Sequence, residues 1–311
     1  MGRDATLIRH RIDTDVTEIA RFGEPAQLAA EVLLPEGQVP DLVFVCLPGG
    51  GMNRRYFDLP TPPGEAEASF AQAMLARGHA VVLIDPLGAG DSTCPADAYL
   101  LHPDRTADAA ALVTDRILAG LREGGLVPGV PAMPALRSVG AAHSLGALMT
   151  IVQQARAGQH DGLALMGFHT AGVPAHLTDA DRALDVVHAR ENLVALARKR
   201  FPAGPWHELQ AQPTKRAVSA AAAIERVMMT PSLMAMLPEI IAGDAASITV
   251  PVLIALGDSD LHGDPYRTPQ AYGASPEVTL LVLPETRHNH FVYPSRTHLF
   301  ERVARWAENL P

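Results

Sequence analysis

The segment Ser138-Val139-Gly140-Ala141-Ala142-His143-Ser144-Leu145-Gly146 sets one serine between an apolar run and a helix-forming stretch. A tight strand-to-helix turn holds such a serine in a strained backbone conformation with its hydroxyl exposed. Strand and helix approach closely there, so the residues two before and two after the serine must be small. Ala142 and Gly146 meet that need. The plainer alternative is a serine that only caps the helix. A serine hydroxyl is a weak nucleophile at neutral pH. A neutral imidazole within hydrogen-bond reach can take its proton during attack. A carboxylate on the far ring nitrogen then fixes the tautomer and stabilises the imidazolium. Candidates for both groups come later in the chain. Asp258 and Asp260 follow an apolar run at 252–256, with Asp264 just beyond. His288 and His290 follow a run at 279–283.

These groups can meet only if the elements carrying them share one edge of a sheet. Short, mostly apolar runs at 43–47, 80–84, 136–141, 162–166, 251–256 and 278–283 read as buried strands. Helical spacing marks 65–77, 107–122, 145–157 and 295–309. Glycines at 78 and 158 stand where helix C-terminal glycines belong. Alternation of this kind predicts a mostly parallel sheet covered on both faces. Residues 5–35 alternate apolar and polar side chains in part, and are expected to form an antiparallel start to the same sheet. From 169 to about 247 the strand signal stops. This stretch is rich in Ala, Leu, Met, Arg and Glu and is divided by prolines, so several helices with no strand between them are expected.

Asp85-Pro86-Leu87-Gly88-Ala89-Gly90-Asp91-Ser92 follows the second buried strand. With that loop ahead of the serine turn, the chain resembles the α/β-hydrolase superfamily, whose members often carry D-x-x-G-x-G-x-S at this place. The resemblance covers about 40–168 and 250–311 and does not extend to the stretch between. It implies an α/β fold: a mostly parallel central sheet with helices on both faces and an inserted helical cap. The expected division is a core of 1–168 and 250–311 with a cap, or lid, of 169–249. In that family Asp85 is structural. Leu47-Pro48-Gly49-Gly50-Gly51 resembles the family's H-G-G-G loop, with Pro48 in place of His. The resemblance implies an oxyanion hole made by the N–H groups of Gly50 and Leu145, with Gly51 the neighbouring alternative. The family's chain order is serine, acid, histidine. Its G-x-x-D pattern favours Asp260 over Asp258 and Asp264. The distance to the last helix favours His288 as base, with His290 the alternative. One departure is Ala142, where the family usually has glycine.

The remaining residues narrow the function. The net charge of −9 and the lack of basic runs argue against nucleic-acid binding. His288 and His290 alone do not make a metal site, and no P-loop Lys-Ser/Thr pair follows the glycines, so no cofactor is expected. Cys46 and Cys94 form no metal or disulfide framework. No apolar run reaches transmembrane length, and no signal-type apolar segment opens the chain, so a cytoplasmic enzyme without membrane contact is expected. His169, after the strand at 162–166, is a candidate for the pocket wall, and His143 is expected to pack against the serine turn. Arg54 and Arg55 are solvated or structural unless they meet an anionic substrate. The expected reaction is hydrolysis of a carboxylic ester or thioester through an acyl-serine. An acyltransferase, lactonase or C–C bond hydrolase would use the same three groups. The non-enzyme alternative is a ligand receptor on this fold, which would leave Ser144 apart from both histidines.

Overall fold

The computed structural model describes residues 7–208, 223, 225–261 and 263–311. Its main sheet has eight strands: β1 Leu7–Asp15, β2 Gln27–Pro35, β3 Leu42–Leu47, β4 Ala80–Ile84, β5 Arg137–His143, β6 Gly162–Met166, β9 Val252–Gly257 and β10 Val278–Leu283. Their spatial order is β1-β2-β4-β3-β5-β6-β9-β10. The pairs β1/β2 and β2/β4 are antiparallel, and all pairs from β4 to β10 are parallel. The antiparallel start expected at 5–35 is therefore present as the β1–β2 hairpin.

The continuous apolar runs follow from burial on both sides. In β3, Val43, Val45 and Leu47 pack on one face, while Leu42, Phe44 and Cys46 pack on the other. β4, β6 and β9 alternate in the same way. Helices Pro103–Glu123 and Leu145–Ala157 cover the first face. Phe70–Leu75 and Arg296–Glu308 cover the second. Phe291, in the loop that follows β10, packs against Phe70 and Phe300 and is stacked on Tyr56 at 4.7 Å between ring centroids.

Two sequence expectations need correction. The helix expected over 65–77 occupies only Phe70–Leu75. Thr61 Oγ1 accepts the Ala68 N–H and Glu67 accepts the Ser69 N–H, and such local bonds compete with helix. Ser69 then caps the helix through the Gln72 N–H. The second correction lies between β6 and β9. There the chain forms helices Asp179–Arg182, Val186–Glu191, Leu193–Arg200, Met229–Met236 and Ala242–Ala246. It also forms a separate two-stranded sheet, β7 Trp206–Glu208 with β8 Arg226–Met228. Runs of three residues are too short to show periodicity, so these strands left no sequence signal. Most of the chain linking them lies outside the described residues. No described helix is long and apolar enough to cross a membrane.

Candidate active site

Because β3, β5, β9 and β10 run parallel, their carboxyl ends open at one edge of the sheet, where α/β folds place their ligands. Ser144 follows β5 with φ 53° and ψ −120°. Left-handed φ in a residue with a Cβ is sterically costly and marks a site held by its surroundings. The holding contacts are local. The Ser144 N–H donates to the Met166 carbonyl at 2.7 Å, and Ser144 O begins the helix by accepting from Ala147 and Leu148. Gly146 explains the small-residue rule. A Cβ there would collide with the carbonyl oxygens of Leu47 and Pro48, where β3 enters the glycine loop. Ala142 is fully buried, and its methyl is accommodated. The Ser144 side chain makes no cap bond to the helix.

The serine hydroxyl instead faces His288. Ser144 Oγ lies 2.8 Å from His288 Nε2, and His288 Nδ1 lies 2.7 Å from Asp260 Oδ1. Asp260 is buried, with 4% of its side chain exposed. Burial alone would raise its pKa. Hydrogen bonds from His288 and His290 outweigh that and hold it far below the usual carboxylate range. Asp258 is on the surface of the same loop, where it accepts the N–H groups of Glu285 and Thr286. Asp264 accepts the N–H of Tyr266. Of the three acids named from sequence, the fold brings Asp260 to the histidines.

Of the two histidines, His288 meets the serine. His290 lies beneath it, wholly buried, with Nε2 3.0 Å from Asp260 Oδ2. His143, next to Ser144, is also wholly buried. Its Nε2 donates to the His288 carbonyl at 2.8 Å. Burial, and then the charge that His288 or His290 would carry, push its pKa well below the ordinary value, so it stays neutral. His143 thus anchors the backbone of the loop that carries His288. Sequence placed it against the turn but gave no sign of this bond.

The glycine loop divides its residues among three neighbours. A Cβ on Gly49 would press on His143 and Ser144. One on Gly50 would meet Leu145 Cδ2 at 3.3 Å, and one on Gly51 would meet the Arg226 carbonyl at 3.1 Å. Gly50 is therefore the glycine that faces Leu145, while Gly51 faces β8. Among the described residues, neither the Gly50 nor the Leu145 N–H has a protein acceptor. The segment leading into β8 is bonded to this loop. Glu225 N–H donates to Gly51 O at 2.6 Å and Asn53 N–H to Ala223 O at 2.9 Å. Glu225 Oε1 accepts from Asn53 Nδ2 and from the Gly90 N–H, both at 2.8 Å. This clamp was not legible in the sequence.

The Asp85 loop has a structural place. Its fully buried carboxylate pairs with Arg54 and accepts the Arg54 and Asp91 N–H groups. Burial pushes its pKa up against these donors. Arg54, part-buried, is thereby occupied by Asp85 and by Asp91 at the surface. His169 is buried, with Nδ1 accepting from the Ala171 N–H. With Thr170, Glu239, Asp264 and Arg267 it lines a cavity of about 550 Å³ between the loops after β6 and β9. Gly167 links that wall to the serine's partner, since a Cβ there would reach His288 Cε1 at 3.4 Å. Among the described residues, no group of three or more His, Cys, Asp or Glu is arranged to hold a metal ion.

Comparison with known families matches residues 44–303 to one described as the alpha/beta hydrolase family. No curated protein matches the chain. Solved structures that resemble it include DcsB, in complex with its substrate analogue, at TM-score 0.65 and 11% identity, covering 97% of this chain and 99% of that one. A thermophilic esterase from Thermogutta terrifontis aligns at TM-score 0.61 and 15% identity, covering 97% and 99%. A monoacylglycerol lipase from Paleococcus ferrophilus aligns at 0.60 and 16%, covering 98% and 100%. At such identities the likeness is one of fold.

Proposed function

Because this chain belongs to the alpha/beta hydrolase family, we propose that it is a serine hydrolase cleaving a carboxylic ester or thioester. One observation carries the proposal: Ser144 Oγ, His288 Nε2, His288 Nδ1 and Asp260 Oδ1 form one hydrogen-bonded line at 2.8 and 2.7 Å. A receptor would not need its serine on a histidine.

In the reaction, Ser144 Oγ attacks the acyl carbon and its proton passes to His288 Nε2. The oxyanion of the tetrahedral intermediate accepts from the N–H groups of Gly50 and Leu145. Both are free of protein acceptors among the described residues, and Leu145 stands at the positive end of its helix. Asp260 keeps the proton of the resting imidazole on Nδ1 and stabilises the imidazolium. Collapse of the intermediate expels the alkoxide or thiolate, which takes the proton from His288. Water then attacks the acyl-serine, giving its proton to His288, and the acid leaves as Ser144 regains its hydrogen. Oxygen-ester and thioester chemistry need no further group.

We assign 1–168 and 250–311 to the catalytic core and 169–249 to a cap. Helices and the β7–β8 pair in that stretch support the assignment, as does the cavity bounded by His169 and Glu239. Turnover of p-nitrophenyl esters and acyl thioesters, with and without an alcohol acceptor, tests the proposal. Acid release abolished by Ser144→Ala is the expected result. Ester formation in preference to hydrolysis would identify an acyltransferase, and no turnover of either class by folded protein would count against an acyl-serine enzyme.

A further inference from the structure

His290 is a buried histidine that the reaction above does not use. Asp260 has two oxygens, and each has a histidine: His288 Nδ1 at 2.7 Å from Oδ1 and His290 Nε2 at 3.0 Å from Oδ2. A carboxylate oxygen only accepts, so His290 carries its proton on Nε2 and donates it. Its other nitrogen, Nδ1, is buried without a hydrogen-bond partner among the described residues. A proton there would be an unsatisfied buried donor, so the ring is held as the neutral Nε2–H form. Three titratable groups face it. Asp260 comes from the loop after β9, His288 from its own loop, and His143 from the end of β5 at 5.6 Å between ring centroids. Hydrogen bonds from the two histidines on its oxygens hold Asp260 in its charged form. Burial, opposed by Asp260, lowers the His290 pKa, in keeping with a neutral ring.

Resting on the hydrolase function above, we propose that His290 is a positioning residue, a neutral donor that fixes the second oxygen of Asp260 and thereby sets how strongly the first oxygen supports His288. With one histidine on each oxygen, the carboxylate cannot turn about its Cβ–Cγ bond without breaking both bonds. The Leu261 N–H, at 2.7 Å from Oδ1, adds to the same orientation. Charge drawn toward His290 is also charge not offered to His288. Removing the donor concentrates the carboxylate's charge on His288, so the imidazolium forms more readily in the free enzyme and the base is lost at higher pH.

Two variants separate donation from packing. His290→Gln puts an amide N–H near the position of Nε2, and His290→Phe keeps a ring but has no donor. For an activated ester, His290→Phe is expected to lose roughly tenfold in kcat/KM, with the acid limb of its pH profile moved to higher pH. His290→Gln is expected within about threefold of wild type and unshifted. Two-bond ¹H–¹⁵N spectra of the wild-type protein are expected to show His290 as the neutral Nε2–H tautomer. An Nδ1–H tautomer or an imidazolium would overturn the proposal, even where a variant fails to fold. Equal losses in both variants with an unshifted acid limb would also overturn it, because they would mean packing alone. A wild type that cleaves no ester would instead speak against the hydrolase, while the spectra still decide the state of His290.

Discussion

Asp258 and Asp260 are separated by a single residue and accept from different segments, the surface chain at Glu285–Thr286 and the histidines His288 and His290. Exchanging each for asparagine should therefore give unlike results. Asp260→Asn leaves the shape but favours the wrong imidazole tautomer, and kcat is expected to fall by roughly 10³- to 10⁴-fold. Asp258→Asn should leave kcat within a fewfold and lower thermal stability slightly. Steady-state kinetics of the two variants on one ester check this, and an equal loss in both would contradict the assignment. At this scale the sequence was informative about residue type and spacing. Ser144, its small neighbours and both histidines could be named from it. Which aspartate and which histidine meet depends on loop paths of a few residues, and resemblance rather than spacing favoured Asp260 and His288. The bonds of His143 to the His288 carbonyl and of His290 to Asp260 need three-dimensional closure, so no local pattern announces them.

At the scale of elements, the serine turn works because β5 and the helix Leu145–Ala157 meet over a glycine. Gly146→Ala forces a methyl against two backbone carbonyls that cannot swing away, because they lie at the end of the central strand β3. The expected cost is about 2–3 kcal/mol or more, read as a lower urea midpoint, and an unchanged midpoint would mean the turn is looser than described. The clamp on the glycine loop gives a second prediction. Glu225→Ala removes the acceptor shared by Asn53 and Gly90, leaving Gly50 less firmly placed. Oxyanion contacts act in the transition state, so kcat should fall by about tenfold with KM little changed, and Glu225→Gln should recover most of it. A change in KM alone would contradict this. The strands and long helices were legible because both-face burial gives β3, β4, β6 and β9 their unbroken apolar runs. The short helix at Phe70–Leu75 and the β7–β8 pair were not, because side-chain bonds and contacts distant in sequence set them.

Across the whole molecule, several histidines are buried in a form that refuses protons. Burial, with Arg122 adding to it, lowers the His160 pKa to about 4. His143 and His290 are lowered as well. In the unfolded chain each takes up a proton below about pH 6.5. Between pH 6.5 and 4 the unfolded state therefore binds more protons than the folded one, and stability falls as the pH drops through this window. His160 alone should account for up to about 1.4 kcal/mol per pH unit there. Asp260 acts lower down. Its depressed pKa adds stability above the ordinary aspartate value, and this is lost progressively at more acid pH. Urea denaturation of wild type and His160→Asn from pH 7 to 4 checks the first part. A shallower slope in the variant is expected, and parallel slopes would contradict it.

The most direct test of the central claim is intact mass after exposure to a fluorophosphonate. Wild-type protein is expected to gain one adduct, mapped to Ser144, and Ser144→Ala to gain none. A folded wild-type protein that stays unmodified, or an adduct that persists in Ser144→Ala, would contradict an activated serine at this turn.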